Sequence, residues 1–251
     1  MQLINKPDYS FVTSTLAFDK MKLFFLSRQL GIPSYELNQD YPSPPPLSVI
    51  NQIAAHFPVS SRSMIFMNQV HSDEIINKVN KKPSFPTADA IITKEKNIAL
   101  SLKTADCVPL FLYDNKNEVI AAVHSGWRGT ALKLARKTIK KMEHFYKTEP
   151  EDIYAFIGPA IGACCYKVGK DVIQHFHFLG KSKENYINKL KGETFMLDLK
   201  GINAWLVEQA GVIQEKIEIS ELCTCCNKEL FHSYRRDGSS SGRNISFITL
   251  L

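Results

Sequence analysis

The 251-residue sequence lacks an apolar run long enough to cross a membrane. Its longest dense apolar stretch, from Val108 to Val123, is interrupted by Asp114, Lys116 and Glu118, whereas a membrane-spanning helix needs about 20 predominantly apolar residues. The first eight residues also lack the basic, apolar and small-residue order of a signal peptide. We therefore expect a cytoplasmic protein with no membrane partner.

The spacing of the cysteines argues against a disulfide framework. The 6 cysteines stand at positions 107, 164, 165, 223, 225 and 226. In a reducing compartment, the remaining roles are metal ligation, catalysis or burial. The C-terminal group contains a single Cys-x-x-Cys, and adjacent cysteines such as Cys164-Cys165 rarely serve one tetrahedral ion. No second metal site is therefore expected from these spacings.

Neither glycine nor proline is enriched, and the charge excess is small. Because 44% of the residues are hydrophobic, the chain is not a disordered one. The net charge of +6 is a weak indication of an anionic ligand. A nucleic-acid binder usually concentrates more positive charge in one stripe, so we expect no nucleic-acid partner.

Strand-like and helical segments are interspersed along the chain, with several hairpins and no repeat or long linker. The strand-like runs are 21–27, 64–70, 98–103, 108–113, 119–124, 152–157, 194–198, 214–219 and 244–249. The helical runs are 47–56, 129–146, 169–179 and 201–210, and 31–46 reads as an extended loop. This order predicts one mixed α/β domain over residues 1–251.

The helical run 129–146 has two distinct faces. The apolar face carries Ala135, Ile139, Met142 and Tyr146, and the other face carries Lys133, Lys137, Lys140 and Lys141. This spacing is typical of an amphipathic helix that packs on a core and exposes its lysines to solvent.

Reactive residues lie at the ends of three strand-like segments, 68–72, 104–109 and 121–130. The runs 108–113 and 119–124 flank a short polar loop and predict a hairpin. If Tyr113 faces Glu118, Cys107 faces His124 just beyond the open end of the hairpin, with Cβ atoms about 4.5–5.5 Å apart.

His71 follows another strand-like run and could complete a metal site with Cys107 and His124. Two histidines and one cysteine with an open fourth position form a recognised catalytic zinc arrangement, and the same donors also suit copper. Taken singly, each residue has another explanation. A lone histidine is more often structural, and a lone cysteine is usually buried and inert.

Two arginine-bearing segments predict an anion site. Ser125–Thr130 holds two glycines and Arg128 ahead of the basic helix, where backbone N–H groups and a guanidinium can bind phosphate or carboxylate. Arg235, Arg236 and Arg243 lie in a Gly/Ser-rich segment near residue 240. The alternatives are a tight strand-to-helix turn and a surface turn with salt bridges.

Together the motifs resemble the YfiH family. They are Gln69–His71, Thr104–Cys107, Ala122–Thr130, Gly158–Gly162 with Cys165–Gly169, Cys223–Cys226 and Ser233–Gly238. The resemblance covers about residues 20–250. Its members, long labelled laccase-like polyphenol oxidoreductases, are described as zinc-dependent purine nucleoside phosphorylases with adenosine deaminase activity.

The resemblance implies a layered α/β sandwich with two central mixed sheets, similar to toxin-type cysteine-histidine deamidases. It places the family's zinc triad on His71, Cys107 and His124. The N-terminal motif departs from the family pattern, since Leu30 in Ser27–Ser34 stands where a glycine is common. By the resemblance, this change affects the part of the site that selects the nucleoside more than it affects the metal centre.

The expected reaction is phosphorolysis of adenosine, inosine or S-methyl-5′-thioadenosine. Arg128 would position the phosphate, with Arg235, Arg236 and Arg28 as further candidates. Cys107 and His124 would act in the metal centre, and Asp106 would orient a ligand histidine or shuttle a proton. We expect purine nucleosides and inorganic phosphate as partners, Zn²⁺ or else Cu²⁺ as cofactor, and a monomer or weak homodimer.

Three alternatives remain at this point. A cysteine hydrolase would use Cys107 as nucleophile and His124 as its base, on amides such as those of peptidoglycan precursors. A multicopper phenol oxidase needs more histidine ligands than the 7 histidines and single His-x-His pair can supply. A non-enzymatic zinc module has no positive feature in its favour.

Overall fold

The computed structural model describes residues 1–30, 44–77 and 85–251. Most of the extended loop predicted at 31–46 lies outside these residues. No helix within the described ranges is both long and apolar enough to span a membrane.

Twelve strands of the described residues form two six-stranded mixed sheets. The first sheet has the order β1 (Gln2–Asn5), β2 (Ser10–Thr13), β3 (Met21–Leu26), β15 (Asn244–Leu250), β7 (Ala99–Thr104) and β4 (Met64–Phe66). The second has the order β14 (Ile217–Ile219), β10 (Ile153–Ile157), β8 (Val108–Asp114), β9 (Val119–Ser125), β6 (Ala90–Thr93) and β5 (Ile75–Ile76). A small antiparallel sheet joins β11 (Lys167–Gly169), β13 (Thr194–Leu197) and β12 (Ile187–Lys189).

The helices of the described residues are short apart from three. They are α1 (Leu47–His56), α2 (Trp127–Ala131), α3 (Leu134–Tyr146), α4 (Lys170–Ile173), α5 (Leu199–Glu208) and α6 (Tyr234–Asp237). Helical 3-10 segments cover Arg28–Leu30, Ser61–Ser63, Pro150–Asp152, Gln174–Asn185, Gln214–Lys216 and Gly238–Ser240.

The two large sheets pack face to face, and helices cover both outer faces. Phe25 and Leu100 of the first sheet share one core with Phe111 and Phe156 of the second. Helix α1 packs on the outside of the first sheet, and α3 and α5 pack on the outside of the second. This order of layers confirms the α/β sandwich with two central mixed sheets.

The β8–β9 hairpin is buried on both faces. Along β8, Leu110 and Leu112 belong to the core under the helices, whereas Phe111 and Tyr113 belong to the core between the sheets. Burying each large apolar side chain contributes roughly 1.5–3 kcal/mol. The longest apolar run of the sequence is therefore a central hairpin, as expected for a strand pair with no solvent face.

The predicted hairpin register is wrong by two residues. Tyr113 faces Ile120, and Pro109 rather than Cys107 faces His124. Strand β8 runs on through Asp114, because the Asp114 carboxylate accepts the N–H groups of Lys116 and Asn117, each at 2.9 Å, and so closes the loop beyond it. Cys107 instead lies in the segment by which the chain passes from β7 in the first sheet to β8 in the second.

Other predicted elements differ in length. The helix predicted at 129–146 is interrupted at Lys133, which has a left-handed φ of 60°, although its predicted apolar face is buried on α3. The strand predicted at 64–70 ends at Phe66. The helix predicted at 169–179 is a single turn, α4, followed by the 3-10 segment Gln174–Asn185.

Candidate metal centre

His71, Cys107 and His124 converge where the chain passes between the two sheets. One ligand atom from each lies within 4.8 Å of the other two. Cys107 Sγ is 3.7 Å from His71 Nε2, and the two imidazole rings meet edge to face with centroids 4.9 Å apart. The three residues that the sequence singled out therefore form one cluster of metal donors.

Asp89, which the sequence analysis did not single out, organises this cluster. Its side chain is fully buried. Its carboxylate accepts the Nδ1–H of His124 at 2.8 Å and the backbone N–H of His71 at 3.0 Å. It also accepts the backbone N–H groups of Val70 and Ser72. A carboxylate that holds one ring nitrogen of histidine leaves the other, Nε2, to face a metal.

Asp106 does not contact either histidine in this way. Its carboxylate accepts the hydroxyl of Thr224 and the backbone N–H of Arg235, each at 2.6 Å. Its backbone has a left-handed φ of 89°. The expectation that Asp106 orients a ligand histidine is therefore wrong in this structure, since Asp89 makes that contact and Asp106 holds two loops beside the cysteine.

The charges of Cys107 and His124 are coupled. Burial alone raises the pKa of the Cys107 thiol, but attraction and hydrogen bonding to His124 and His71 outweigh it and lower the pKa to about 6. Burial alone lowers the pKa of His124, but the Cys107 thiolate and the Asp89 carboxylate raise it to about 9. The site thus favours a thiolate, which is the form of cysteine that binds metals.

Local backbone geometry brings the donors this close. His71 has a left-handed φ of 59°, a conformation that few non-glycine residues adopt. At Gly126, which precedes α2, an added Cβ would lie 2.8 Å from Cys107 Sγ and 3.1 Å from His71 Cδ2. The absence of a side chain at Gly126 therefore makes room for the sulfur of Cys107 and the ring of His71.

A cavity of about 400 Å³ opens beside the three donors. Its walls combine the donors with aromatic and cationic side chains. Besides the donors it is lined by Lys103, Thr104, Ala105, Asp106, Trp127, Tyr166, Tyr234, Arg235 and Arg243. Burial and the nearby Cys107 raise the pKa of Tyr166, so its phenol stays protonated as a hydrogen-bond donor.

Of the four arginines predicted to position the phosphate, Arg235 is the one that lines this cavity. Arg128 is exposed, and its guanidinium lies over the ring of Trp127 at 4.6 Å. Arg236 is held by Asp237 and by three backbone carbonyl groups. Arg28 donates to the carbonyl of Lys228 and, with Arg236, lines a separate surface depression.

Lys103 and Arg243 complete the positive wall of the cavity. Lys103 lies on β7 and is only 6% exposed. Burial, and then repulsion from Arg243, lower the pKa of Lys103 to about 8. A lysine inside the buried strand Ala99–Thr104 was the sequence signal that could have identified this position.

Comparisons with known proteins agree with the fold and the motifs. Residues 48–251 match the family model described as "Multi-copper polyphenol oxidoreductase laccase". The purine nucleoside phosphorylase CA_C1699 of Clostridium acetobutylicum is 36% identical over 231 residues, which cover 92% of each chain. The purine nucleoside phosphorylase YlmD of Bacillus subtilis is 35% identical over 78% of this chain and 74% of that protein.

Two solved structures share the fold. The hypothetical protein YfiH of Bacillus licheniformis superposes with a TM-score of 0.84 and 31% identity, over 92% of this chain and 93% of that one. YlmD from Geobacillus stearothermophilus superposes with a TM-score of 0.89 and 25% identity, over 99% and 98% of the chains. By sequence and by fold, the chain belongs to the YfiH family, the laccase-like family of the matching family model.

Proposed function

We propose that this protein is a zinc-dependent purine nucleoside phosphorylase that also deaminates adenosine. The observation that carries the proposal is the cavity itself, where a thiolate and two imidazoles adjoin three cationic and three aromatic side chains. Relatives of similar length are named purine nucleoside phosphorylase, which supports the same reaction here.

The donor set supports zinc as the metal. His71, Cys107 and His124 would hold it, with Asp89 behind His124. Copper electron-transfer sites add a weak axial methionine to two histidines and a cysteine, and none of the described residues that line the cavity is a methionine. When bound, zinc supplies a Lewis acid that polarises a substrate oxygen.

The phosphate is held by the cationic wall. Arg235 and Arg243 present guanidinium groups, which match phosphate geometry, and Lys103 adds a point charge from the strand behind them. This assignment replaces Arg128, Arg236 and Arg28, whose side chains do not line the cavity. The purine base is assigned to the aromatic side chains of Trp127, Tyr166 and Tyr234, which line the same cavity.

In the proposed reaction, an oxygen of inorganic phosphate forms a bond to C1′ of the ribose. The bond between C1′ and the base nitrogen breaks, and the base keeps its electron pair and takes up a proton. The products are ribose 1-phosphate and the free base. Cationic and aromatic side chains in one cavity would hold the two reactants together, which lowers the entropic cost of the reaction.

Product separation tests the proposal. We expect purified protein of measured metal content to convert adenosine to adenine only when phosphate is present. Deamination exchanges the purine amino group for oxygen from water, so inosine forms with or without phosphate. If neither adenine nor inosine appears with metal-loaded protein, the proposed function is wrong.

The cationic wall predicts a pH dependence. Lys103 is a cation below its pKa of about 8 and neutral above it, while inorganic phosphate is already a dianion at that pH. We therefore expect kcat/KM for phosphate to fall as pH rises through about 8, by up to tenfold per pH unit. Initial rates at varied phosphate between pH 6.5 and 9.5 measure this profile.

The matched variants are Lys103→Arg and Lys137→Arg. Arginine stays protonated, so Lys103→Arg should remove the alkaline decline in kcat/KM for phosphate. Lys137 lies on the exposed face of α3 and pairs with Asp73, so Lys137→Arg should keep the decline. If the decline is unchanged in Lys103→Arg, Lys103 is not the titrating cation that binds phosphate.

One observation favours a second candidate function. A thiolate beside a protonated histidine is also the resting state of many cysteine hydrolases, and the pKa values of Cys107 and His124 favour that ion pair. The two functions differ in their inhibitors. A hydrolase keeps its activity after chelation and loses it to a thiol alkylator, whereas the zinc enzyme loses its activity to a chelator.

A further inference from the structure

Four cysteines of the described chain form a second cluster of metal-binding side chains, made of different residues from the cluster in the cavity. Cys164, Cys165, Cys223 and Cys226 bring their sulfur atoms within 4.8 Å of one another. Cys165 Sγ lies 3.3 Å and Cys164 Sγ lies 3.6 Å from Cys226 Sγ. The sequence analysis did not expect this, because the C-terminal group holds a single Cys-x-x-Cys and adjacent cysteines rarely serve one tetrahedral ion.

The spacing of these sulfur atoms fits a metal better than a disulfide. In a tetrahedral site with Zn–S bonds of about 2.3 Å, the sulfur atoms lie about 3.8 Å apart. A disulfide holds its two sulfur atoms about 2.05 Å apart and uses only two cysteines. Four sulfur atoms gathered around one point are the donor set of structural zinc sites.

Backbone hydrogen bonds form this cluster from two loops. In the first loop, the N–H groups of Cys165 and Tyr166 both donate to the carbonyl of Gly162 at 3.0 Å. This tight turn explains how the adjacent cysteines 164 and 165 both reach one centre. In the second loop, the N–H of Thr224 donates to the carbonyl of Ala160 at 3.0 Å, which ties the two loops together.

The buried end of the cluster also has the surroundings of a metal-bound thiolate. Cys223 is the buried member, and the backbone N–H of Gly162 donates to its sulfur at 3.2 Å. A Cβ at Gly162 would lie 3.1 Å from Cys164 Sγ and 3.3 Å from Cys223 Cβ. Glycine at this position therefore allows the two loops to approach each other closely.

We propose that Cys164, Cys165, Cys223 and Cys226 bind a second, structural zinc ion. With all four positions taken by cysteine, this site has no open position for substrate, in contrast to the site of His71, Cys107 and His124. The zinc ion links the loop 160–166 to the loop 223–227. The fifth cysteine of this region, Cys225, lies in the second loop but outside the cluster.

The second zinc ion supports the wall of the cavity. Tyr166 and Arg235 line the cavity, and the Arg235 guanidinium donates to the carbonyl groups of Cys165 and Lys167. Thr224, next to Cys223, donates to Asp106 beside the metal-donor Cys107. Fixing the two loops therefore fixes residues on which substrate binding depends, although the zinc ion itself touches no substrate.

Zinc content per chain tests this proposal. The full-length protein is purified under anaerobic, reducing conditions, and zinc is measured by elemental analysis in wild type and in Cys226→Ser, Cys164→Ser and Cys225→Ser. We expect Cys226→Ser and Cys164→Ser each to lose one equivalent of zinc. Cys225→Ser is the matched control and should lose none. Cys164 is exposed, so its replacement leaves the core intact.

A His71→Asn background separates this site from the catalytic one. Asparagine tolerates the left-handed backbone at position 71 and is a far poorer zinc ligand than histidine. We expect His71→Asn to keep one equivalent of zinc, which Cys226→Ser then removes. Cobalt added to His71→Asn should give the absorption spectrum of a tetrahedral tetrathiolate complex, whatever the outcome of the nucleoside assays.

Two results would overturn the proposal. One is an unchanged zinc content in folded Cys226→Ser and Cys164→Ser. The other is a wild-type chain that is two hydrogens lighter by intact mass and holds no zinc on these residues, because the cluster is then a disulfide.

Discussion

Replacing Cys107 by alanine is expected to remove the cavity metal and to lower nucleoside turnover by about 10³-fold or more. The thiolate would be the anionic member of the donor set, because His71 and His124 bind a metal only as neutral imidazoles. A Lewis acid supplies several kcal/mol of transition-state stabilisation, and each 1.36 kcal/mol is a factor of ten in rate. Metal content and phosphorolysis rate are measured on the same preparation.

Two further variants test whether Cys107 acts as a ligand or as a nucleophile. Cys107→Ser should also lose metal, because a neutral hydroxyl is a far poorer ligand than a thiolate. His71→Asn should lose the cavity metal and the turnover, although His71 has no role in a simple dyad of Cys107 and His124. Full turnover in a preparation shown to be free of metal would refute the zinc mechanism.

Replacing Asp89 by asparagine is expected to weaken metal binding by about 10–100-fold. The new side-chain amide would present an N–H₂ group to groups that are already donors, namely the backbone N–H groups of residues 70–72 and the Nδ1–H of His124. Each buried donor left without an acceptor costs about 1–3 kcal/mol of folding stability. Chelator competition measures the metal affinity, and thermal unfolding measures the stability.

Asp114→Asn is the matched control for Asp89→Asn. Asp114 is also fully buried, and its carboxylate also accepts backbone N–H groups, but it lies at the far end of the β8–β9 hairpin. It should lose stability and keep its metal affinity. If Asp89→Asn loses no more metal affinity than Asp114→Asn, then Asp89 only stabilises the fold and does not orient the metal ligands.

The sequence predicted that three side chains converge better than it predicted the backbone geometry that brings them together. His71, Cys107 and His124 converge, yet the register proposed for the hairpin was wrong. The reason is that the Asp114 carboxylate accepts backbone N–H groups of the loop and thereby sets where the turn lies. The hydrophobic periodicity of the strands does not reveal such a side-chain contact. The three side chains still converge because Cys107 precedes the paired residues of β8, in the segment that connects the two sheets.

The residues that the sequence did not reveal are brought together by tertiary contacts. Asp89 lies in a segment without a recognised motif, and its partners are residues 70–72 and His124. In the sequence, Lys103 is a single charged residue in an apolar strand, and only the fold brings Arg243 close to it. Arg28, Arg128 and Arg236 were predicted from the residues next to them in the sequence, whereas the lining of a cavity depends on which strands are adjacent in a sheet.

The place of β15 in the first sheet determines when the cavity is completed during synthesis. Strand β15 lies between β3 and β7, and Ile245 pairs with Lys103. Since a chain leaves the ribosome from its N-terminus, β3 and β7 emerge long before the strand that joins them. Lys103 and Arg243 therefore meet only when β15 inserts, so the two cations can line one cavity only after nearly the whole chain has been synthesised.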